Sequence, residues 1–306
     1  MRPESSDQAP ALSIITSTRN AASTLARCLH SVAAQDFENW EHWIIDAVST
    51  DETLPIARRA AAQDTRIKLL SEADGGIYDA MNKGIRLARG EWIYFLGADD
   101  ELFDAGVLSR MFDAKNQDCD FMYGDVMLIP GQRIHGGPFD LVRLLIKNIS
   151  HQAIFYRRSV FDRLGEFDLR FPVFADWAFN IKCMLDPAVR KFHVDIIVAR
   201  FHLGGTCRNG EALDPGWHDE RMDLLGRQFS LEPLARAMVR SIVEELNRQA
   251  EMAETASNWH TRYNNLQRVH NDLLHSNSYR FFRALDRPLR SALMAMRRAG
   301  TYLSRK

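Results

Sequence analysis

Residues 71–101, SEADGGIYDAMNKGIRLARGEWIYFLGADDE, are the stretch of sequence that decides the fold. Asp74–Gly76 has the composition of a turn, since glycine accepts a positive φ without strain. Apolar residues then recur at helical spacing over 77–88, which predicts a helix. The continuous apolar run 92–96 predicts a strand that is covered on both faces. An acidic turn, Gly97–Asp100, follows at the carboxyl end of that strand.

The acidic turn is the first candidate for a functional site. Open α/β sheets bind their ligands at the carboxyl ends of strands, which is where Asp99 and Asp100 fall. Two adjacent carboxylates repel each other unless a cation lies between them. A divalent cation such as Mg²⁺ or Mn²⁺, bridging to a diphosphate, fits this chemistry. The alternative is an Asp-Asp pair that caps a helix after a buried strand.

Two segments carry a resemblance to a known family. IYDAMNKGI at 77–85 and GEWIYFLGADD at 90–100 resemble the inverting family 2 glycosyltransferases of the GT-A fold, of the kind that builds bacterial surface polysaccharides. The resemblance covers about residues 11–207, and ADD resembles the metal-binding acidic motif of that family. It implies a metal-dependent transfer from a nucleotide-sugar donor, with a UDP-sugar first, to a hydroxyl of a glycan or lipid-linked acceptor. O-antigen, capsule or exopolysaccharide synthesis is the implied setting.

The order of the elements predicts the fold class and the domains. Strand and helix patterns alternate from residue 11 to 96, which favours an α/β fold with helices on both faces of a mostly parallel sheet. The resemblance implies the GT-A form, a Rossmann-like mixed sheet. We expect a disordered N-terminus over 1–10, a glycosyltransferase domain over 11–215 and a C-terminal helical region over 216–306.

The resemblance also implies which residues bind the nucleotide-sugar. Asp46, at the end of the second strand, is implied to accept a hydrogen bond from the base, and a charged acceptor strengthens such a bond. Its alternative role is an Asx-turn residue within its own loop. The full set of implied contacts is Thr16, Thr18, Arg19, Asp46, Asp74, Tyr78, Asp79, Asn82, Lys83, Asp99, His151, Gln152, Gly204 and Gly205.

The sequence departs from the commonest pattern of that family at two positions. Gly97 stands where many members carry aspartate, so Asp99 is expected to face the ribose or the diphosphate and Asp100 the metal, with either able to be a ligand. Met81 stands where many members carry an arginine. The phosphate contact of that arginine must then come from elsewhere, and the first turns of the 77–88 helix offer the nearest candidates.

Asp176 is the predicted general base. It lies in an ADW segment after a GEFD loop, a context that resembles the catalytic aspartate of the family. An inverting transfer needs one carboxylate to take the proton of the acceptor hydroxyl. The alternative is an aspartate that caps a helix. By the same resemblance, His202 is a further candidate metal ligand, although a half-exposed strand histidine is the simpler interpretation. His151 has a similar alternative, a hydrogen-bonded surface residue.

The composition limits the other classes of function. The chain has 306 residues and a formal net charge of −1, but residues 257–306 carry ten Lys and Arg against two Asp. No dinucleotide or P-loop glycine motif is present, and no nucleic-acid-reading motif accompanies the basic end. We therefore expect no nucleic-acid partner. Four widely spaced cysteines fit a reducing cytoplasm, and no apolar run is long enough to span a membrane.

The C-terminal region suggests partners of its own. Residues 252–273 show the apolar spacing of a short coiled coil, and residues 276–306 are amphipathic and arginine-rich. Such a segment can contact the anionic inner face of a membrane, or it can build a homo-oligomer. Two other functions stay open beside the glycosyltransferase. One is a nucleotidyltransferase, and the other is a non-catalytic sugar-nucleotide-binding or membrane scaffold protein.

Overall fold

The computed structural model describes residues 9–113, 118–203, 214, 216 and 217. It divides into two units, one of residues 1–138 with 149–217 and one of 139–148 with 218–306. In the described part of the chain, no helix has the length and apolar character that crossing a membrane requires. The predicted helical region beyond 217, and most of the predicted disordered N-terminus, lie outside the described residues.

The first half of the larger unit follows the predicted alternation of strands and helices. In chain order its elements are β1 (Leu12–Thr18), α1 (Leu25–Ala33), β2 (Trp40–Asp46), α2 (Thr53–Gln63), β3 (Ile67–Ser71), α3 (Ile77–Leu87) and β4 (Trp92–Phe95). Helix α3 and strand β4 agree within one residue with the helix predicted over 77–88 and the strand predicted over 92–96.

The later elements are less regular. They are β5 (Glu101–Leu102), α4 (Val107–Met111), β6 (Phe121–Ile129), β7 (Arg133–His135), α5 (Leu141–Ile146), a 3₁₀ turn (His151–Ala153), β8 (Ile154–Arg157), α6 (Arg158–Leu164), α7 (Ala175–Leu185) and β9 (Lys191–His202). The sequence predicts one helix near 104–114, whereas the structure has a short strand followed by five helical residues. Helix α5 belongs to the smaller unit, and the side chain of its N-cap residue Asp140 accepts from the amide of Arg143.

The sheet is mixed, as expected for the GT-A fold. Its strand order is β3-β2-β1-β4-β8-β6-β9-β5, with β7 paired to β6. Strands β1 to β4 are parallel, β8 is antiparallel to both β4 and β6, and β6 is parallel to β9. The end of β4, the beginning of β8 and the end of β9 therefore meet at one edge of the sheet. The acidic turn lies at that edge.

The centre of the sheet is apolar on both faces. All four residues of β4 are buried, which agrees with the continuous apolar run that predicts this strand. The ring of Tyr94 stacks on that of Phe155 in β8 at 4.4 Å between centroids. On the other face, α3 packs close to β1, because a Cβ at Gly84 would lie only 2.4 Å from a methyl carbon of Ile15. This close packing fixes the helix that carries Tyr78 and Asn82.

Candidate active site

Asp100 is buried at the carboxyl end of β4, with 1% of its surface exposed. Its Oδ2 accepts from Gln152 Nε2 at 2.6 Å, and its Oδ1 accepts from the amide of His202 at 2.8 Å. Burial raises the pKa of Asp100 to about 6, and the charge of Asp99 adds to the effect. A Cβ at Gly97 would lie 2.6 Å from Asp100 Oδ2 and 2.9 Å from Asp99 Oδ1. Glycine here leaves room for both carboxylates.

The acidic turn fits a hard divalent cation. Asp99 and Asp100 offer carboxylate oxygens, and a cation would relieve the repulsion that helps to raise the pKa of Asp100. Across the described residues, no three His, Cys, Asp or Glu side chains converge on one point. Among the described residues, Asp99 and Asp100 would hold such a cation, and a diphosphate and water could supply further ligands. The imidazole of His202 lies 3.6 Å from Glu101 Oε1.

Asp176 is the second residue of α7 and is 5% exposed. Its Oδ1 accepts from the amide of Trp177 at 2.7 Å and lies 2.8 Å from the hydroxyl of Tyr78. Its Oδ2 faces His151 Nδ1 at 3.4 Å. The same Tyr78 hydroxyl is 2.7 Å from the carbonyl oxygen of Val173. Oδ1 thus accepts a hydrogen bond from an amide in the first turn of α7, while Oδ2 faces the histidine.

The dipeptide His151-Gln152 connects the two carboxylates. Gln152 donates to Asp100, and its neighbour His151 faces Asp176. The hydroxyl of Tyr94 donates to the carbonyl oxygen of Gln152 at 2.9 Å, which anchors the turn to the sheet. Within the described ranges, His151 Nε2 is buried and makes no hydrogen bond. The structure therefore brings Asp100 and Asp176, which lie far apart in the sequence, to the same dipeptide.

Asp46 lies at the end of β2 and is fully buried. Its carboxylate accepts four hydrogen bonds, from the hydroxyl of Thr18, the hydroxyl and amide of Ser49, and the hydroxyl of Ser71. A carboxylate has about four acceptor positions, so neighbouring donors fill all of them. Thr16 is also buried, with its hydroxyl 2.8 Å from His42 Nε2.

Two predicted contacts on α3 are engaged by the surrounding loops. Asn82 is buried and pairs with the backbone of Phe167 through both ends of its amide, at 2.9 and 3.0 Å. Lys83 donates to the carbonyl oxygen of Ala73 at 2.6 Å and forms an ion pair with Glu72 at 3.0 Å. The hydrogen bond and ion pair with Glu72 raise the pKa of Lys83. Among the described residues, these contacts hold both side chains against other loops and not against the acidic turn.

Three further predicted contacts lie before α3, in its first turn and just after β1. Asp74 accepts from the amide of Gly76 at 3.0 Å, and Asp79 accepts from the amide of Gly75 at 2.9 Å, so both shape the turn before α3. Arg19 is exposed at the end of β1. The predicted contacts Gly204 and Gly205 lie outside the described residues.

Two residues near the site were missed by the sequence-based interpretation. Asp214 Oδ2 accepts from the amides of Val173 at 2.9 Å and Phe174 at 2.7 Å. Arg27 on α1 donates from Nη2 to the carbonyl oxygen of Asp99 at 2.7 Å and so holds the acidic turn. In the sequence, Asp214 precedes a Pro-Gly pair, which indicates only a turn. Arg27 has the pattern of an ordinary charged residue on a helix surface.

The family assignment follows from comparison with known proteins. Residues 13–174 match the family described as Glycosyl transferase family 2. The chain belongs to this family. It is accordingly an enzyme that transfers glycosyl groups on a GT-A fold. Membership favours this activity over the nucleotidyltransferase and the non-catalytic scaffold that the sequence alone left open.

Individual relatives agree with that assignment. A PGL/p-HBAD biosynthesis glycosyltransferase of Mycobacterium bovis (strain BCG / Pasteur 1173P2) is 44% identical over 205 residues, covering 66% of this chain and 80% of that protein. The O-antigen biosynthesis protein RfbC of Myxococcus xanthus is 26% identical over 260 residues, covering 81% of this chain and 19% of that protein. The structure of S. aureus TarS 1-349 in complex with UDP-GlcNAc is similar in fold, with a TM-score of 0.61 at 18% identity, over 94% of this chain and 92% of that one.

Proposed function

We propose that this glycosyltransferase moves a sugar from a nucleotide-sugar to a hydroxyl of a glycan or lipid-linked acceptor, with inversion at the anomeric carbon. A UDP-sugar is the first donor to test, because the similar TarS structure contains UDP-GlcNAc. Relatives named for PGL/p-HBAD and O-antigen biosynthesis support a role in bacterial glycan synthesis. A divalent cation at Asp99 and Asp100 is part of the proposal.

The contact of one dipeptide with two buried carboxylates carries this proposal. Gln152 donates to Asp100, and His151 faces Asp176 at 3.4 Å. Adjacent side chains have a limited reach, so the two acids belong to a single site. Asp100 can then help to hold the cation that stabilises the departing diphosphate, while Asp176 accepts the proton of the attacking hydroxyl.

Each group has a defined part in the transfer. The acceptor oxygen forms a bond to the anomeric carbon as the bond from that carbon to the diphosphate oxygen breaks, and the acceptor proton passes to Asp176 Oδ2. A bound cation would supply stabilisation of the charge that develops on the diphosphate. The Tyr78 hydroxyl and the Trp177 amide hold Oδ1, so Asp176 keeps a fixed orientation.

Donor identity can be tested with the full chain. Nucleotide sugars that differ in base and sugar are screened with Mg²⁺ or Mn²⁺ for thermal stabilisation, since a bound donor stabilises the folded protein by mass action. Release of nucleoside diphosphate then measures turnover, and the anomeric configuration of the product tests inversion. A retained configuration would contradict the single-displacement chemistry.

Asp176→Asn tests the proposed base. The amide keeps an oxygen for the Trp177 amide but takes no proton, so we expect transfer to fall on the order of 10²-fold or more. Donor affinity should stay near that of the wild type. Asp186→Asn is the matched control, because Asp186 accepts a backbone amide at the other end of α7. Near-normal transfer by Asp176→Asn would leave Asp176 as a helix-capping residue only.

The proposed peripheral contact with the inner membrane surface rests on sequence alone. It depends on residues 276–306, which lie outside the described residues, and the same segment suits a homo-oligomer contact. A cytoplasmic location at the membrane surface would bring the enzyme close to a lipid-linked acceptor. It stays a proposal beside the transfer reaction and is independent of it.

A further inference from the structure

Asp214 is a buried carboxylate that reaches the loop carrying the proposed base. It is 3% exposed, and its Oδ2 accepts from two successive amides, those of Val173 and Phe174. These two residues lead directly into α7, where Asp176 is the second residue. About forty residues separate Asp214 from this loop in the sequence. The contact therefore ties a distant segment to the backbone just before the base.

Aromatic packing holds Asp214 in the same place. The amide of Trp217 donates to the carbonyl oxygen of Asp214 at 3.0 Å, which closes the turn between them. The Trp217 ring lies 5.6 Å from those of Phe171 and Phe174 and 5.3 Å from that of Trp177. The aromatic partners thus lie on both sides of Asp176 in the sequence. The polar contact and the aromatic packing fix the same stretch of backbone.

The peptide groups of Val173 connect Asp214 to the base. The amide of Val173 donates to Asp214, while its carbonyl oxygen lies 2.7 Å from the hydroxyl of Tyr78. That hydroxyl also lies 2.8 Å from Asp176 Oδ1. A shift of the backbone at Val173 would therefore disturb both the start of α7 and the tyrosine that contacts the base.

We propose that Asp214 is a positioning residue that holds the turn at 173–174 and so fixes where Asp176 meets the acceptor hydroxyl. This inference rests on the proposed role of Asp176 as the base. A displacement of about 1 Å in a reacting group can cost on the order of 10²-fold in rate. We therefore expect a displacement of this turn to lower turnover more than it weakens donor binding.

Burial of the Asp214 carboxylate is a second observation that bears on its role. Burial raises its pKa, and the nearby charge of Asp176 raises it further. Its Oδ1 is buried and makes no hydrogen bond in the part of the chain that the structure describes. An asparagine could accept the same two amides without this cost, which makes the asparagine variant an informative rescue.

Asp214→Ala removes the acceptor and is expected to lower kcat by about 10- to 100-fold, with donor KM and Kd within about threefold of wild type. Asp214→Asn should restore most of the lost kcat, because its amide oxygen can take the place of Oδ2. Asp186→Ala, which removes a comparable acceptor at the far end of α7, is the control and should show neither effect. A folded Asp214→Ala with wild-type kcat, or equal losses in Ala and Asn, would overturn the inference.

A double-mutant cycle with Asp176→Asn separates this inference from the proposed function. If Asp214 acts through the base, adding Asp214→Ala to Asp176→Asn should cause no further loss. A further loss of the same factor would mean that Asp214 acts independently, which overturns the inference. Normal transfer by Asp176→Asn alone would instead reject the proposed base.

Asp214→Glu keeps the test decisive where the alanine variant does not fold. Glutamate retains the charge and the acceptor but moves them by one methylene, so we expect donor binding to persist and kcat to fall. A wild-type kcat in Asp214→Glu would show that turnover does not depend on the exact position of this acceptor, and would overturn the inference.

Discussion

The carboxyl ends of β2 and β4 each carry a buried aspartate, but the two carboxylates differ in how far their neighbours satisfy them. Asp46 accepts four hydrogen bonds, from Thr18, Ser49 and Ser71. Asp100 accepts two, and the adjacent charge of Asp99 opposes its ionisation. The neighbouring donors fill the acceptor positions of the first carboxylate. The raised pKa of the second favours a bound proton or cation, which supports the cation site that we propose at β4.

Asn82 and Asp176 show the same contrast outside the acidic turn. The amide of Asn82 is used at both ends by the backbone of Phe167, so it fastens a loop to α3. Asp176 uses Oδ1 for local contacts and turns Oδ2 toward His151. Asn82 is thus committed to a loop, whereas Asp176 lies beside a histidine, which supports the proposed role of Asp176 as the base.

The largest effect is expected for Asp100→Asn. Loss of the carboxylate should remove metal-dependent affinity for nucleoside diphosphate and lower turnover by on the order of 10²-fold or more, since a metal contributes several kcal/mol to the transition state. Calorimetric titration of UDP with Mn²⁺ and with EDTA measures the affinity. Asp104→Asn, an acid just after the turn that pairs with Arg110, is the control. Equal binding of UDP by wild type in Mn²⁺ and EDTA would contradict the cation site.

The raised pKa of Asp100 predicts a pH dependence of the metal-free protein. The folded state holds this proton with a pKa of about 6, against 3.8 ordinarily, so folding is favoured while the group is protonated. The contribution of Asp100 to the free energy of unfolding is fully present below pH 3.8 and is lost as the pH rises through about 6. The loss amounts to about 3 kcal/mol.

Urea unfolding in EDTA between pH 4 and 7 measures this contribution. The free energy of unfolding of wild type should fall relative to Asp100→Asn as the pH rises, and Mn²⁺ should restore part of it at pH 7. Parallel pH curves for the two proteins would show that the pKa of Asp100 is not raised in the folded protein.

The sequence predicts the parts of this contrast that depend on local pattern. The apolar run of β4, the acidic turn and the position of Asp176 at the start of α7 each follow from a few consecutive residues. The contacts of Asn82 with Phe167 and of Asp214 with Val173 join segments far apart in the chain, and no periodicity reports such pairings. The contact of the Ser71 hydroxyl with Asp46 has the same origin, because Ser71 reaches Asp46 only through the pairing of β2 with β3.

The smallest of these effects is expected for Asp46→Asn, and we expect it mainly in the stability of the fold. The variant loses one of the two oxygens that four donors share, so we expect the free energy of unfolding to fall by about 1–3 kcal/mol. Thermal and urea unfolding measure this loss, with Asp51→Asn in the following loop as the control. UDP affinity of the folded variant then tests the predicted base contact. A base N–H can bind Asp46 only by displacing a present donor, so a loss of affinity would require that exchange. Unchanged affinity, together with the loss of stability, would restrict Asp46 to holding the loop and would sharpen its contrast with Asp100.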